Sequence, residues 1–238
     1  MLTYFLSECR AQRRVASTGP ENSMEANPKN PPIIRILVAL VNQLYTIYMN
    51  KKRCAWAEGK NELYVAYHDT EWAVPVYSDN TLFEFLVLES AQAGLSWETI
   101  LNRREGYRKA FKNFDLRKVS KMTSVDVERL LKDTCIIRNK LKINATITNA
   151  QAFLQIQKEF GSFSEYVWSY VDHKAVQNNL KSKSKIPVFD EVAIRLSKDL
   201  KKRGFKFFGP TICYAYMQAV GMVNDHTKDC FRYNELSL

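Results

Sequence analysis

Punctuation is what most constrains this chain. From Asp79 onward small polar residues of the kind that cap helices recur, each followed by apolar residues three and four apart and then by a break. Asp79 stands at the head of a stretch in which Leu82, Phe85, Leu86 and Glu89 share one face, and Gly94 suits its C-terminal end. Ser96, with Glu98 in the first turn, heads a helix predicted to run through Phe111. Thr123-x-x-Asp126 and Ser162-x-x-Glu165 read as capping boxes. Ile143, Ile147, Ala150 and Leu154 step at helical spacing. Lys181 to Lys185 reads as a charged loop, a helix is expected from about Phe189 to Lys202 with Gly204 ending it, and another begins near Thr211. No apolar-polar alternation lasts long enough to build a sheet, so the expected fold class is all-α. Only 8 Gly and 7 Pro agree with that reading, since β-rich and disordered chains use more of both.

The 238 residues suffice for one large domain or two small ones, and 46% apolar residues allow a sizeable core. The formal charge of +10 suggests an anionic partner, nucleic acid before a membrane surface, but charge alone equally fits a soluble lysine-rich protein. Five scattered cysteines argue against a disulfide framework and for reduced thiols in a cytosolic or nuclear setting. Residues 1–32 are polar and aperiodic up to Pro31-Pro32 and read as unstructured. Residues 33–48 are apolar, but Arg35, Asn42 and Gln43 interrupt a stretch already short for a membrane span, so a short docked or amphipathic helix is expected. The chain therefore divides into an extension, 1–48, and one domain, 49–238. A cytoplasmic location is expected; early Arg10, Arg13 and Arg14 set against Glu8, Glu21 and Glu25 leave organellar targeting open.

Three constellations carry chemistry. His226-x-x-x-Cys230 puts an imidazole and a thiol one helical turn apart, and with Cys54 and His68 it makes a Cys2His2 set suited to a structural zinc. The spacing by itself is also compatible with chance. Gly204 and Gly209 bracket a short hairpin, KRGFKFFGPT, that meets a helix start at once, where backbone N–H groups hold phosphate and nearby cations add attraction. An ordinary helix-helix turn has the same appearance. Trp56, Tyr64, Tyr67, Trp72 and Trp97 crowd one region beside Glu89. Most aromatics at such density are core, yet a carboxylate on an apolar helix face must find partners or carry a heavy desolvation cost, and an acid among tryptophans suits a flipped purine.

Long ordered motifs narrow these options: RCAW (53–56), YVAYHDTEWAVP (64–75), LESAQAGLSWETIL (88–101), DVERLLKD (126–133), IIRNKLKINATITNA (136–150) and KKRGFKFFGPTICYAYMQAVGMVNDH (201–226), then Cys230. In these the chain resembles the constitutive, zinc-containing type of bacterial 3-methyladenine DNA glycosylase. The resemblance implies the all-helical helix-hairpin-helix glycosylase fold. It puts one structural Zn2+ on Cys54, His68, His226 and Cys230. It puts a base pocket on Tyr67, Trp72, Glu89 and Trp97 with Trp56 nearby, Glu89 reading the adenine edge. It implies a turn, Gly94-Leu95, pushed into the DNA stack, and a DNA clamp at 204–209, with Gly204, Lys206 and Gly209 in it and Thr211 just beyond it. It further implies monofunctional hydrolysis, a monomer on double-stranded DNA containing alkylated bases, and no membrane partner. Asp225 occupies the neighbourhood where other members of the superfamily keep a catalytic Asp, but that role is not carried over. Ala55 and Ala73 stand where the family usually has Gly, a residue that tolerates positive φ, and Ser90-Ala91 replace its more usual Gly-Gln pair. Met49 begins MNKKRCAW, similar to the family's own opening, so 1–48 reads as an upstream start chosen in error.

Overall fold

The computed structural model describes residues 31–181 and 186–237. The unstructured reading of 1–32 falls almost wholly outside them, as do residues 182–185 of the charged loop. Among the described residues the chain forms α1 (Pro32–Met49), α2 (Glu62–Thr70), α3 (Asp79–Gln92), α4 (Trp97–Leu101), α5 (Arg104–Ala110), α6 (Leu116–Val119), α7 (Ser124–Leu130), α8 (Lys140–Phe160), α9 (Phe163–Trp168), α10 (Glu191–Lys202), α11 (Pro210–Ala219) and α12 (Phe231–Glu235). The one sheet-like feature among them is a two-residue parallel pair, β1 (Val176–Gln177) against β2 (Val223–Asn224). The expectation of a helical fold holds, and only this short bridge departs from it.

Pro32 opens α1 instead of closing the segment before it, since a ring without an N–H fits the first helical position. In the first half of α1, Ile33 (69%), Ile34, Ile36 (60%), Leu37, Leu40 and Val41 lie exposed. Neither α1 nor any other described helix is long and apolar enough to cross a membrane.

The core is built around α3, which is buried on every side from Leu82 to Ala91 and not along one stripe. Against it pack α4, α8, α9 and α11. Asp79 does not cap its own helix, as its position suggests. Its carboxylate instead accepts from the backbone N–H groups of Phe163 (2.9 Å) and Ser164 (2.8 Å), the first turn of α9, and from Gln157 Nε2 at 2.7 Å. Ser96 does cap α4, accepting from Thr99 N, but the helix expected through Phe111 breaks at Asn102-Arg103 into α4 and α5. The box at Thr123-Asp126 forms with both bonds, while Ser162 accepts from Glu165 N. Gly94 follows α3 at φ +78, and Gly204 follows α10 at φ +96. Of the two alanines that replace glycine, Ala73 alone sits at positive φ, +63, its N–H held by Gln218 O at 2.9 Å. Cys54, Cys213 and Cys230 are free thiols, in line with reduced cysteines.

Candidate functional site

Two buried clusters share the aromatic corner between α2, α3 and the C-terminal segment. The first joins the two ends of the domain. Cys54 precedes α2, His68 lies on α2, His226 follows β2, and Cys230 is the residue before α12. All four are buried, and their ligand atoms lie within 4.8 Å of one another. Cys54 Sγ is 3.5 Å from His226 Nδ1, and Cys230 Sγ is 3.4 Å from the same nitrogen and 3.5 Å from His68 Nε2. A metal at about 2.3 Å from sulfur and about 2.05 Å from nitrogen in a tetrahedron requires S···N edges of about 3.6 Å, so the group is already at coordination distance. The nitrogens turned away from the centre are also engaged: His68 Nδ1 is 2.7 Å from Asp69 Oδ1, and His226 Nε2 is 3.3 Å from Trp72 O. Such partners fix ring orientation and tautomer at metal sites. Asp69 is held in turn by Arg53, whose Nε and Nη2 donate to the carboxylate at 2.8–3.0 Å. The spacing argument for the four ligands is thus matched by geometry; the Arg53-Asp69 support was invisible in it, because a carboxylate next to a histidine in sequence has no fixed direction.

The second cluster surrounds Glu89. Two acids of α3 are buried, and their surroundings differ. Glu84 accepts from Arg104 Nε at 2.6 Å and from Arg108 Nε at 3.0 Å. Glu89 is 4% exposed and has neither an ion pair nor a hydrogen bond among the described residues. Burial pushes its carboxyl up to about 8. Burial also raises the phenols of Tyr67 and Tyr64; the Glu89 charge adds to the first, and Glu98 and then Glu89 add to the second. Tyr67 lies 5.1 Å, centroid to centroid, from Trp97. The indole N–H groups of Trp97 and Trp56 are buried without an acceptor among the described residues, and the hydroxyl of Ser90 is likewise buried without a partner among them. Trp56 meets Tyr64 at 5.6 Å and Trp72 at 4.8 Å. Trp72 itself packs on the metal-type group, 4.6 Å from His226, so it belongs to the wall between the clusters. Unpaired buried acids and donors are costly in a core and useful in a receptor.

The remaining predicted residues lie on two exposed tips. Gly94-Leu95 forms the turn between α3 and α4, with Leu95 40% exposed. Between α10 and α11 the hairpin exposes Lys206 and Phe207, while Phe205 and Phe208 anchor it in the core. Gly209 is the residue before α11, Pro210 supplies no N–H, and Thr211 is exposed in the first turn, so free backbone N–H groups face outward there. Asp225 is fully buried and accepts from Asn178 Nδ2 (2.7 Å), Tyr214 OH (2.9 Å) and Gln218 Nε2 (2.7 Å), a structural role that occupies its carboxylate.

A mostly helical scaffold with an unpaired buried acid in an aromatic region has the makings of a receptor for a flipped base. The chain belongs to the methyladenine glycosylase family, which it matches over residues 56–233. It is 49% identical over 182 residues to DNA-3-methyladenine glycosylase 1 of Escherichia coli, covering 76% of this chain and 97% of that protein. It is 45% identical over 178 residues to the DNA-3-methyladenine glycosylase of Haemophilus influenzae, covering 75% and 96%. Among solved structures, 3-methyladenine DNA glycosylase I aligns with a TM-score of 0.73 at 49% identity, covering 76% of this chain and 98% of that one. A single-residue variant of another 3-methyladenine DNA glycosylase I, in complex with 3-methyladenine, aligns with a TM-score of 0.73 at 40% identity, covering 75% of this chain and 96% of that one.

Proposed function

We propose that this chain is a monofunctional DNA-3-methyladenine glycosylase of base-excision repair, and that the Glu89 pocket receives the damaged base. The observation that carries this reading is the buried acid Glu89 without a partner among the described residues, in a region where Tyr67 and Trp97 lie ring against ring. Methylation at N3 gives the base in DNA a positive charge and makes it a good leaving group. The enzyme's task is then extrusion, recognition and stabilisation of charge. Leu95 fills the gap in the stack as the nucleotide swings out. The base enters beside Trp97 and Tyr67, whose faces favour a cation by about 0.5–2 kcal/mol. Glu89 accepts from the exocyclic amine, and its charge attracts the cationic ring more strongly than a neutral one. As the bond from the sugar carbon to the base breaks, its electron pair stays with the base. Water adds to the sugar carbon, loses a proton, and leaves an abasic site. The route needs no lysine Schiff base, and Asp225, with three donors already bound, is not required to act in it.

The hairpin's backbone N–H groups at Gly209 and Thr211, with Lys206, hold the phosphates of double-stranded DNA in this reading, and the enzyme works as a monomer. Cys54, His68, His226 and Cys230 hold one zinc; four protein ligands leave no open position, so the ion supplies cross-linking of the domain ends and no chemistry. Base recognition is separable from DNA binding. Free 3-methyladenine should quench the tryptophan fluorescence of the protein, and Glu89→Ala should abolish that saturable quench without unfolding the chain. A saturable quench unchanged in Glu89→Ala would place the base elsewhere.

A further inference from the structure

The two exposed tips assigned to DNA are rooted in one helix. Lys142 on α8 directs its ammonium at the end of α3, donating to Ala91 O at 2.9 Å and to Ala93 O at 2.6 Å. Those are carbonyls that the helix end leaves without intrahelical donors, at the negative end of its dipole, and the next two residues are Gly94 and Leu95. Seven residues along α8, Asn149 is 1% exposed and clamps the hairpin by its backbone: Nδ2 donates to Lys206 O at 3.0 Å, and Oδ1 accepts from Lys206 N at 2.8 Å. Seven residues are two helical turns, about 10.5 Å, so both side chains leave the same face of α8. All four contacts are to main chain, so they fix the path of each tip and leave its side chains free.

We propose that α8 is a strut that sets the separation of the intruding turn and the DNA clamp, with Lys142 and Asn149 as positioning residues for base extrusion. The proposal rests on the reading that Leu95 and the hairpin touch DNA. Extrusion requires Leu95 to enter the stack at the nucleotide whose phosphates the hairpin holds. An error of an ångström in that separation misplaces one relative to the other, which costs on the order of a hundredfold in rate.

The test measures kcat/KM for release of base from methylated duplex DNA, its pH profile, and affinity for free 3-methyladenine, in Lys142→Met, Lys142→Arg and Asn149→Ala, with Leu95→Ala as the benchmark. Lys142→Met and Asn149→Ala should each lower kcat/KM by roughly ten- to a hundredfold while free-base affinity and the pH profile stay as in the parent. Lys142→Arg, which keeps a cationic donor, should recover most of the loss. Unchanged kcat/KM in Lys142→Met and Asn149→Ala beside an impaired Leu95→Ala overturns the strut and leaves the intruding turn standing. Parallel loss of free-base affinity and excision, even in Lys142→Arg, would show general damage and overturn it too. Full activity in Leu95→Ala would remove the turn's role and the strut's with it.

Discussion

The sharpest consequence of an unpaired buried acid concerns stability. In the folded chain Glu89 holds its proton up to about pH 8, against an ordinary value of 4.5 in the unfolded chain. Between those limits the folded state binds more protons, so stability falls as pH rises through the interval, and the penalty is absent below 4.5 and complete above 8. At 1.36 kcal/mol per unit, the penalty is about 1 kcal/mol at pH 5 and about 3 kcal/mol at pH 7. Glu89→Gln removes the titration while keeping size and shape. Its stability advantage over the parent should therefore grow by about 2 kcal/mol from pH 5 to pH 7, a relative Tm gain of roughly 4–8 °C for a chain of this size. Urea titrations of both proteins at the two pH values measure it. The same ionisation serves catalysis, so kcat/KM of the parent should climb towards pH 8 and the variant should show neither the climb nor substantial excision. A stability difference that is constant with pH, or a variant that loses stability, would refute the reasoning.

Three further outcomes follow from local geometry. Ala73→Gly should cost about 1–2 kcal/mol less than Ala150→Gly in chemical denaturation, because both lose a buried methyl but only Ala73, at φ +63, gains relief from the left-handed region; equal costs would contradict this. Gly209→Asp should leave folding intact, since a Cβ there meets nothing within 4 Å and Asp is a good residue before a helix, yet should weaken binding to every DNA sequence about tenfold or more by repelling phosphate; unchanged affinity at low salt would move the clamp elsewhere. The purified protein should carry one zinc per chain, and Cys54→Ala or His226→Ala should lower both zinc content and Tm together; metal-free protein with freely reactive Cys54 and Cys230 would remove the zinc.

What could be read ahead of the structure was local. Caps at Ser96 and Thr123, the glycine after α3 and the start of α11 depend on residues within one turn, and one-dimensional spacing contains them. The set Cys54, His68, His226 and Cys230 could be named because few side chains do that chemistry and the family resemblance falls on the same four, and the fold brings them together. What could not be read depends on approach across the chain. Asp79 looked like a cap for its own helix and caps α9 instead, 84 and 85 residues away. Glu84 and Glu89 are the same residue type on the same helix, and only the arrival of Arg104 and Arg108 distinguishes the paired acid from the bare one. Trp72 enters the base pocket through the family resemblance, and its contact with His226 at 4.6 Å was not visible in the sequence. Asn149 and Lys142 look like ordinary polar residues of a long helix until the hairpin and the end of α3 reach them.

The measurement closest to the central claim is release of base. Duplex DNA methylated at N3 of adenine is incubated with the purified full chain, and the products are separated. Free 3-methyladenine together with an equal number of abasic sites, both much reduced with Glu89→Gln, is the result this account predicts. DNA that is bound with full affinity but keeps its methylated bases would contradict it, and would make the chain a binding module with an empty receptor.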